Sequence, residues 1–250
     1  MKNLLIYTTP DKKFTQEDLI LARIQVDNSI DLGWQTADIV LVTDFPFEYH
    51  GVKSLQVPEG LFYPFDKNAN KIPVALYLIK QQLIDPEVLY WCHDFDAFEN
   101  TPIVESELEM SQHNLGVVPY LYKKEWQFCS FFFRTSAEPL LKLIDQETRA
   151  QPFPSRNNEK NFVKLLKRGD ISADSFKELN ITYSIPKRYL TTMYNQATKP
   201  LRVLHFRPSD PKDDRMTDSA LNMFMYGKSR LNFPLMDARL IELFHQHGIR

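Results

Sequence analysis

The hydrophobic positions in the first half of the chain follow two periods in turn. Residues 4–8 form a short apolar run that ends at a Thr-Pro-Asp turn signal, which is typical of a buried strand. Apolar residues then recur at helical spacing over residues 16–32, and Gly33 follows as a helix C-cap. Residues 38–43 are rich in β-branched side chains and predict a second buried strand. Together these elements predict a βαβ unit with parallel strands.

Strands and helices alternate through the first half of the chain, and further strands and helices are predicted after it. The pattern predicts strands over residues 54–57, 88–95, 115–118, 128–133 and 201–206. It predicts helices over residues 73–84, 137–148, 158–167, 218–226 and 236–247. We therefore expect an α/β fold in a single domain, residues 1–250, with a mixed, mainly parallel central sheet flanked by helices.

The glycine content narrows the ways in which such a fold could bind a nucleotide. The chain has 7 glycines in 250 residues, which is less than half of the usual share of about 7%. They lie too far apart to form a G-x-G-x-x-G turn or a P-loop. If a nucleotide is bound, its phosphates must be neutralised by something other than a glycine-rich loop.

Charge, hydropathy and cysteine content exclude further classes of protein. With 30 basic and 32 acidic residues the net charge is −2, which argues against nucleic acid as a partner because phosphate binding needs a basic surface. No apolar run approaches the ~20 residues of a membrane helix, so we expect no transmembrane segment. Both cysteines, Cys92 and Cys129, lie inside apolar runs and predict buried reduced thiols, which favours a cytoplasmic protein.

The strongest chemical signal is the sequence His93-Asp94-Phe95-Asp96, which directly follows an apolar strand. Because side chains alternate along a strand, Asp94 and Asp96 point the same way, and His93 is expected on the other face as a hydrogen-bonded core residue. Ligands of open α/β sheets bind beyond the carboxyl ends of the strands. Two carboxylates directed to one point there suit a hard divalent cation. The alternative is a solvated acidic turn, which is the commoner origin of an Asp-x-Asp sequence.

A second group of candidates surrounds His205 in a late apolar run. Arg207 and Lys212 lie on the proline-broken segment that follows it. An imidazole added to two carboxylates gives a nitrogen and oxygen ligand set that suits Mn²⁺ better than Ca²⁺. The basic residues could neutralise a diphosphate held by that cation. The alternative is a strand histidine followed by a solvated charged loop.

Taken together, these stretches resemble the GT-A type of nucleotide-sugar glycosyltransferase. In the glycogenin-like retaining branch of that group, a late histidine is followed several residues on by a lysine. His205 and Lys212 match this pattern, but the glycine and tryptophan that usually flank it are absent. The other matching features, in chain order, are the polar turn at residues 7–10, the D-x-D at residues 94–96 and the aromatic strand at residues 126–133.

The resemblance implies a GT-A-like (Rossmann-like) fold and an enzyme that moves a sugar from a nucleotide-diphosphate sugar to a glycan or other hydroxyl acceptor. The expected donors are UDP- or GDP-sugars. Mn²⁺ or Mg²⁺, held by Asp94, Asp96 and His205, would act as a Lewis acid on the leaving diphosphate. Residues 1–120 would form the nucleotide-binding half of the domain, and residues 121–250 the acceptor half.

The resemblance also implies a set of donor contacts. The residues at the end of the first strand would contact the nucleoside, and the basic residues would contact the phosphates or the donor sugar. For Lys71 the alternative is a solvated side chain. The expected donor-binding residues are Thr8, Thr9, Asp11, Lys71, Asp94, Asn157, Arg207 and Lys212.

The catalytic residue is the least clearly marked part of the expected site. An inverting enzyme needs a carboxylate base near the acceptor hydroxyl, and Glu159 follows the aromatic strand where this fold often presents acidic or amide residues. Asn157 and Asn158 could contact sugar hydroxyls. A helix-capping role is the alternative for this segment.

Two other functions would use the same residues. A metal-dependent phosphohydrolase could use the carboxylate pair, although the haloacid dehalogenase type has its D-x-D directly after the first strand. A non-catalytic relative would bind a carbohydrate or a partner protein, and it would bind nucleotide no better with metal than without it.

Overall fold

The structure is a computed structural model that describes residues 1–61, 69–120, 125–152, 157–186, 193–207, 224–227 and 233–249. The chain divides into two compact units, each made of three segments. Unit 1 comprises Met1–Thr15, Gln35–Asp94 and Val104–Leu179, and unit 2 comprises Gln16–Trp34, Phe95–Ile103 and Asn180–Arg250. The expected single domain with a nucleotide-binding half and an acceptor half stays a prediction.

The described elements begin in the order β-α-β and continue as runs of strands separated by helices. The strands are β1 (Lys2–Tyr7), β2 (Ile39–Thr43), β3 (Glu48–Tyr49), β4 (Val52–Lys53), β5 (Leu55–Gln56), β6 (Tyr90–His93), β7 (Ala97–Glu99), β8 (Leu115–Tyr120), β9 (Glu125–Phe133), β10 (Lys177–Glu178), β11 (Ile185–Pro186) and β12 (Val203–His205). The helices are α1 (Gln16–Asp31), α2 (Lys71–Lys80), α3 (Glu138–Ala150), α4 (Asn158–Arg168) and α5 (Ala238–Gln246).

Unit 1 is built on a seven-stranded sheet in the order β10-β8-β9-β6-β1-β2-β5. β1 pairs in parallel with β2 and β6, β2 with β5, and β8 with β10, whereas β9 is antiparallel to β6 and β8. The parallel pairing of β1 and β2 is what the βαβ pattern predicts. The predicted α/β fold with a mixed, mainly parallel sheet is therefore confirmed.

The core of unit 1 forms between this sheet and the helices α2, α3 and α4. Leu78, Leu141 and Phe162, one from each helix, are fully buried against the strand residues Phe131 and Phe133. The aromatic run of β9 is thus a core element, as aromatic strand residues usually are. Cys92 and Cys129 are buried free thiols, as expected.

Unit 2 contains the three-stranded sheet β11-β12-β7, in which β12 is parallel to β11 and antiparallel to β7. α1 carries buried polar residues that hydrogen-bond to β7 and the residues before it. The Gln25 side chain donates to the carbonyl oxygens of Phe95 and Ala97, each at 2.9 Å, and Asn28 donates to that of Glu99 at 2.9 Å. These bonds satisfy strand backbone groups and fix α1 against β7.

Two helix predictions need adjustment. α2 begins at Lys71 and ends at Lys80, earlier than the predicted residue 84, because Gln82 adopts a positive φ of 54° that a helix cannot contain. Most of the helix predicted over residues 218–226 lies outside the described residues. None of the described helices is long and apolar enough to cross a membrane.

Candidate functional site

His93, the last residue of β6, is fully buried and hydrogen-bonded. Its ring stacks on that of Trp91 with 3.7 Å between the centroids. Nδ1 lies 2.9 Å from the carbonyl oxygen of Asp94, and Nε2 lies 2.8 Å from Oδ1 of Asn3. His93 therefore anchors the end of the strand from inside the core, as its position opposite the two aspartates predicts.

Asp94 directly follows β6 and forms an ion pair with Lys71, the first residue of α2. The Lys71 Nζ donates to Asp94 Oδ1 at 2.7 Å and to the carbonyl oxygen of Phe128. The Lys71 side chain is only 7% exposed, against 31% for Asp94. Burial lowers the pKa of Lys71, but the Asp94 carboxylate and neighbouring groups outweigh it and hold the pKa above its ordinary value. Lys71 is thus a buried, charged residue and not a solvated one.

An irregularity in β9 explains why Lys71 reaches the backbone of Phe128. The register between β8 and β9 shifts after Val117, and residues 128–130 have no Cα partner in β8. The backbone groups of Phe128 form hydrogen bonds with side chains instead. Its N–H donates to Oε1 of Glu159 at 3.0 Å, and its carbonyl oxygen accepts from Lys71. Such bulges re-aim side chains and recur beside active sites. The predicted role of Glu159 as a catalytic base stays a prediction.

Asp96 and His205 are brought together within unit 2 by the pairing of β7 with β12. His205 lies opposite Ala97, and the Phe206 N–H donates to the carbonyl oxygen of Asp96 at 2.9 Å. Nε2 of His205 consequently lies 3.4 Å from Oδ1 of Asp96, and both side chains are partly exposed. Two of the three predicted metal ligands are therefore neighbours, and Asp94 precedes Asp96 by two residues in the chain.

The ends of β1 and β2 form a second cluster of polar groups, in unit 1. The strands end side by side, since Tyr7 pairs with Thr43. The N–H of Thr9 lies 3.2 and 3.3 Å from the two carboxylate oxygens of Asp44. Thr8 is buried, and its hydroxyl has no hydrogen-bond partner within the part of the chain that the structure describes. Polar groups of this kind, at the carboxyl edge of a parallel sheet, are typical of ligand contacts.

Aromatic side chains flank this edge of the sheet. The ring of Phe14 lies 4.6 Å from that of Tyr7 and 5.0 Å from those of Phe45 and Phe47, measured between centroids. Neither this cluster nor Asp44 was expected from the sequence. A signal for Asp44 exists, because an acidic residue that directly follows a buried strand is the same pattern that marks Asp94.

The remaining predicted donor contacts have other neighbours. Arg207 lies 2.9 Å from Oε1 of Glu17 and 3.3 Å from Oδ1 of Asp18, and its pKa is raised chiefly by the hydrogen bond to Glu17. Asn157 is the N-cap of α4, where its side chain accepts from the N–H of Lys160 at 3.0 Å. Asp11 is exposed. Lys212 lies outside the described residues.

No protein-family model and no curated protein matches the sequence. Solved structures do match. The galactosyltransferase LgtC, in complex with donor and acceptor sugar analogues, is similar with a TM-score of 0.59 and 10% identity, over 98% of this chain and 96% of that one. A glycosyltransferase involved in glycosylation of the major capsid of PBCV-1 matches with a TM-score of 0.53 and 10% identity, over 84% of this chain and 95% of that one.

A third match is the glycosyltransferase GlyE of Streptococcus pneumoniae TIGR4, with a TM-score of 0.55 and 10% identity. Here 84% of this chain aligns with 56% of that one, so this chain corresponds to little more than half of GlyE. At about 10% identity these likenesses bear on the fold and not on the substrates. The chain has the fold of the GT-A type glycosyltransferases, as its sequence resemblance implies.

Proposed function

We propose that the protein transfers a glycosyl group from a nucleotide-diphosphate sugar to a hydroxyl acceptor, with a divalent cation at the D-x-D. The observation that carries the proposal is the D-x-D itself, which follows a buried strand in a chain with the fold of known glycosyltransferases. Each aspartate has a polar neighbour that fixes its position, Lys71 for Asp94 and His205 for Asp96.

The proposed cation ligands are Asp94, Asp96 and His205, each of which offers one ligand atom of a suitable type. Carboxylate oxygens and an imidazole nitrogen fit Mn²⁺ or Mg²⁺ better than they fit a soft metal. The close approach of Asp96 and His205 supports this set, because a shared cation would stabilise that arrangement. A cation held there would neutralise charge on the leaving diphosphate.

The proposed nucleoside contacts are Thr8, Thr9, Asp11 and Asp44 at the edge of the sheet. The buried hydroxyl of Thr8 supports the proposal, since a buried polar group without a partner is costly unless a ligand provides one. The aromatic cluster around Phe14 supplies the apolar surface on which a base or ribose could pack. Lys71, Arg207, Lys212 and Asn157 remain proposed contacts of the diphosphate or the donor sugar.

Thermal unfolding with nucleoside diphosphates tests this function. UDP, GDP, CDP and dTDP are compared with and without Mn²⁺, and one of them should raise the melting temperature only when Mn²⁺ is present. At a hundred times the dissociation constant the expected rise is about 5 °C or more. Asp96→Ala should abolish the rise. Asp174→Ala, which changes an exposed aspartate at another place, should retain it.

A donor-hydrolysis screen across nucleotide sugars with Mn²⁺ then identifies the sugar. No shift with any of the four nucleotides would contradict the proposal. Equal stabilisation with and without Mn²⁺ would favour a non-catalytic binding protein, and release of phosphate from a simple phosphomonoester would favour a phosphohydrolase.

A further inference from the structure

The two carboxylate oxygens of Asp94 have unequal surroundings. Oδ1 accepts the Lys71 ammonium group at 2.7 Å. Within the described parts of the chain, Oδ2 accepts no hydrogen bond. The Asp94 side chain is 31% exposed and that of Lys71 is 7% exposed, so a ligand can reach the aspartate from solvent while the ammonium group is enclosed by protein.

Lys71 is itself held in place by the bulge in β9. Its Nζ donates to the carbonyl oxygen of Phe128, a buried group whose residue has no Cα partner in β8. Glu159 fixes the same residue from its N–H side at 3.0 Å. The N–H of Asp94 donates to the carbonyl oxygen of Cys129 at 2.8 Å, so the backbone of Asp94 is tied to the same bulge. Aspartate and lysine therefore have little freedom to move relative to each other.

From this geometry we infer that Lys71 is a positioning residue that presents Asp94 to a divalent cation through Oδ2 alone, and thereby disfavours Ca²⁺ relative to Mn²⁺ and Mg²⁺. The inference rests on the proposed function, because it takes Asp94 to be a cation ligand.

The physical reason is the position of the ammonium charge. A cation bound by both carboxylate oxygens has to approach Oδ1, where it meets the positive charge of Lys71 and is repelled. A cation bound by Oδ2 alone stays farther from that charge. Ca²⁺ takes six to eight oxygen ligands and often uses a carboxylate through both oxygens, whereas Mg²⁺ is octahedral and smaller. Blocking Oδ1 therefore removes a ligand atom that Ca²⁺ uses and that the smaller ions do not need.

Electron paramagnetic resonance of Mn²⁺ tests the inference without any nucleotide or turnover. The signal of free Mn²⁺ falls as the ion binds, and displacement by Ca²⁺ gives the ratio of the two affinities. Lys71→Met removes the charge and frees Oδ1, so the preference for Mn²⁺ over Ca²⁺ should fall by about tenfold as the carboxylate becomes able to use both oxygens. Lys71→Arg keeps the charge and should stay within about twofold of the wild-type ratio.

Lys80→Met is the matched control, because it removes the same charge from the exposed end of the same helix. Circular dichroism and melting temperature establish that each variant is folded. If Lys71→Met does not fold, Lys71→Gln takes its place, since a glutamine amide can still donate to Phe128 but carries no charge. A folded Met or Gln variant with the wild-type ratio would overturn the inference and leave the proposed function standing. Absence of Mn²⁺ binding to the wild-type protein, both alone and with added nucleoside diphosphate, would instead contradict the cation-dependent function itself.

Discussion

Two acidic side chains that lie five residues apart in the sequence have different surroundings. Asp94, the last residue of the second segment of unit 1, forms an ion pair with Lys71. Glu99, on β7 in unit 2, is 1% exposed and accepts hydrogen bonds from neutral groups, the N–H of Ile103 at 2.7 Å and the indole N–H of Trp34 at 2.8 Å. The first carboxylate has a full compensating charge within contact distance and the second does not.

This difference in neighbouring groups affects the charge that each carboxyl group carries. Burial raises the pKa of Glu99 to about 7, even though its hydrogen bonds and more distant arginines oppose the shift. Glu99 is thus largely neutral below pH 7, and its side chain joins Trp34, which follows α1, to the loop after β7. Asp94 is partly exposed, and one of its oxygens pairs with a cationic group that balances its charge. The pairing of a single oxygen with Lys71 is compatible with the proposed role of Asp94 as a cation ligand, whereas neutral donors occupy both carboxylate oxygens of Glu99.

If charge compensation distinguishes these regions, removal of Asp94 should have the largest effect on stability. Asp94→Ala leaves the buried Lys71 without its counter-charge, and we expect a loss of about 3 kcal/mol in the free energy of unfolding. Asp96→Ala removes a partly exposed carboxylate beside an imidazole, and should lose about 1 kcal/mol or less. Urea denaturation of both variants, without added metal, measures the contrast.

A double variant separates the ion pair from the packing of its members. Asp94→Ala combined with Lys71→Met removes both charges, so the double variant should lose less stability than the sum of the single ones. Additive losses, or equal losses for Asp94→Ala and Asp96→Ala, would show that the pair does not stabilise unit 1 through charge.

Glu99 should reveal itself in the dependence of stability on pH. Its pKa is about 7 in the folded protein and 4.5 in the reference state, so the folded protein binds the proton more tightly. The stabilisation that the folded protein gains from this tighter proton binding is fully present below pH 4.5. It falls as the pH rises and is lost above about pH 7. The shift corresponds to roughly 3 kcal/mol over that interval. Glu99→Gln should remove this part of the slope.

The slope is measured as the difference between the wild-type and variant curves of unfolding free energy from pH 4 to pH 8. Glu242→Gln, which changes an exposed residue in the same unit, is the control. Its curve of unfolding free energy against pH should coincide with that of the wild type. Parallel curves for wild type and Glu99→Gln would show that the neutral donors hold Glu99 as a charged group, and the comparison with Asp94 would then fail.

The sequence predicts the central sheet of unit 1 much better than it predicts the contacts within unit 2. Apolar runs followed by turn signals are enough to predict the central sheet, and the carboxylates after β6 stand out because ligands of open α/β sheets bind beyond the carboxyl ends of the strands. The pairing of His205 with Asp96 is different, since it depends on the antiparallel register of β7 and β12, which are about a hundred residues apart. Periodicity carries no information about such a long-range partner.

The ion pair between Lys71 and Asp94 also could not be predicted from sequence patterns. Lys71 is one of many lysines, and only the bulge in β9 directs it toward Phe128 and Asp94. Asp44 directly follows a buried strand, just as Asp94 does. This position alone does not distinguish a ligand contact from a solvated turn, whereas the hydrogen bond from the Thr9 N–H places Asp44 at the edge of the sheet.

The smallest expected effect concerns Asn157, which tests whether a residue near Glu159 belongs to the fold or to the donor site. As N-cap of α4 it accepts the N–H of Lys160, and Asn157→Ala should cost about 1 kcal/mol of unfolding free energy. Asn157→Ser should recover most of that loss, because serine caps a helix about as well. If Asn157 acts only as the N-cap, the shift in melting temperature caused by nucleoside diphosphate and Mn²⁺ should be the same in both variants. If Asn157 instead contacts the donor, serine will restore stability without restoring donor affinity, and the hydrolysis of nucleotide sugar will show a raised KM in both variants.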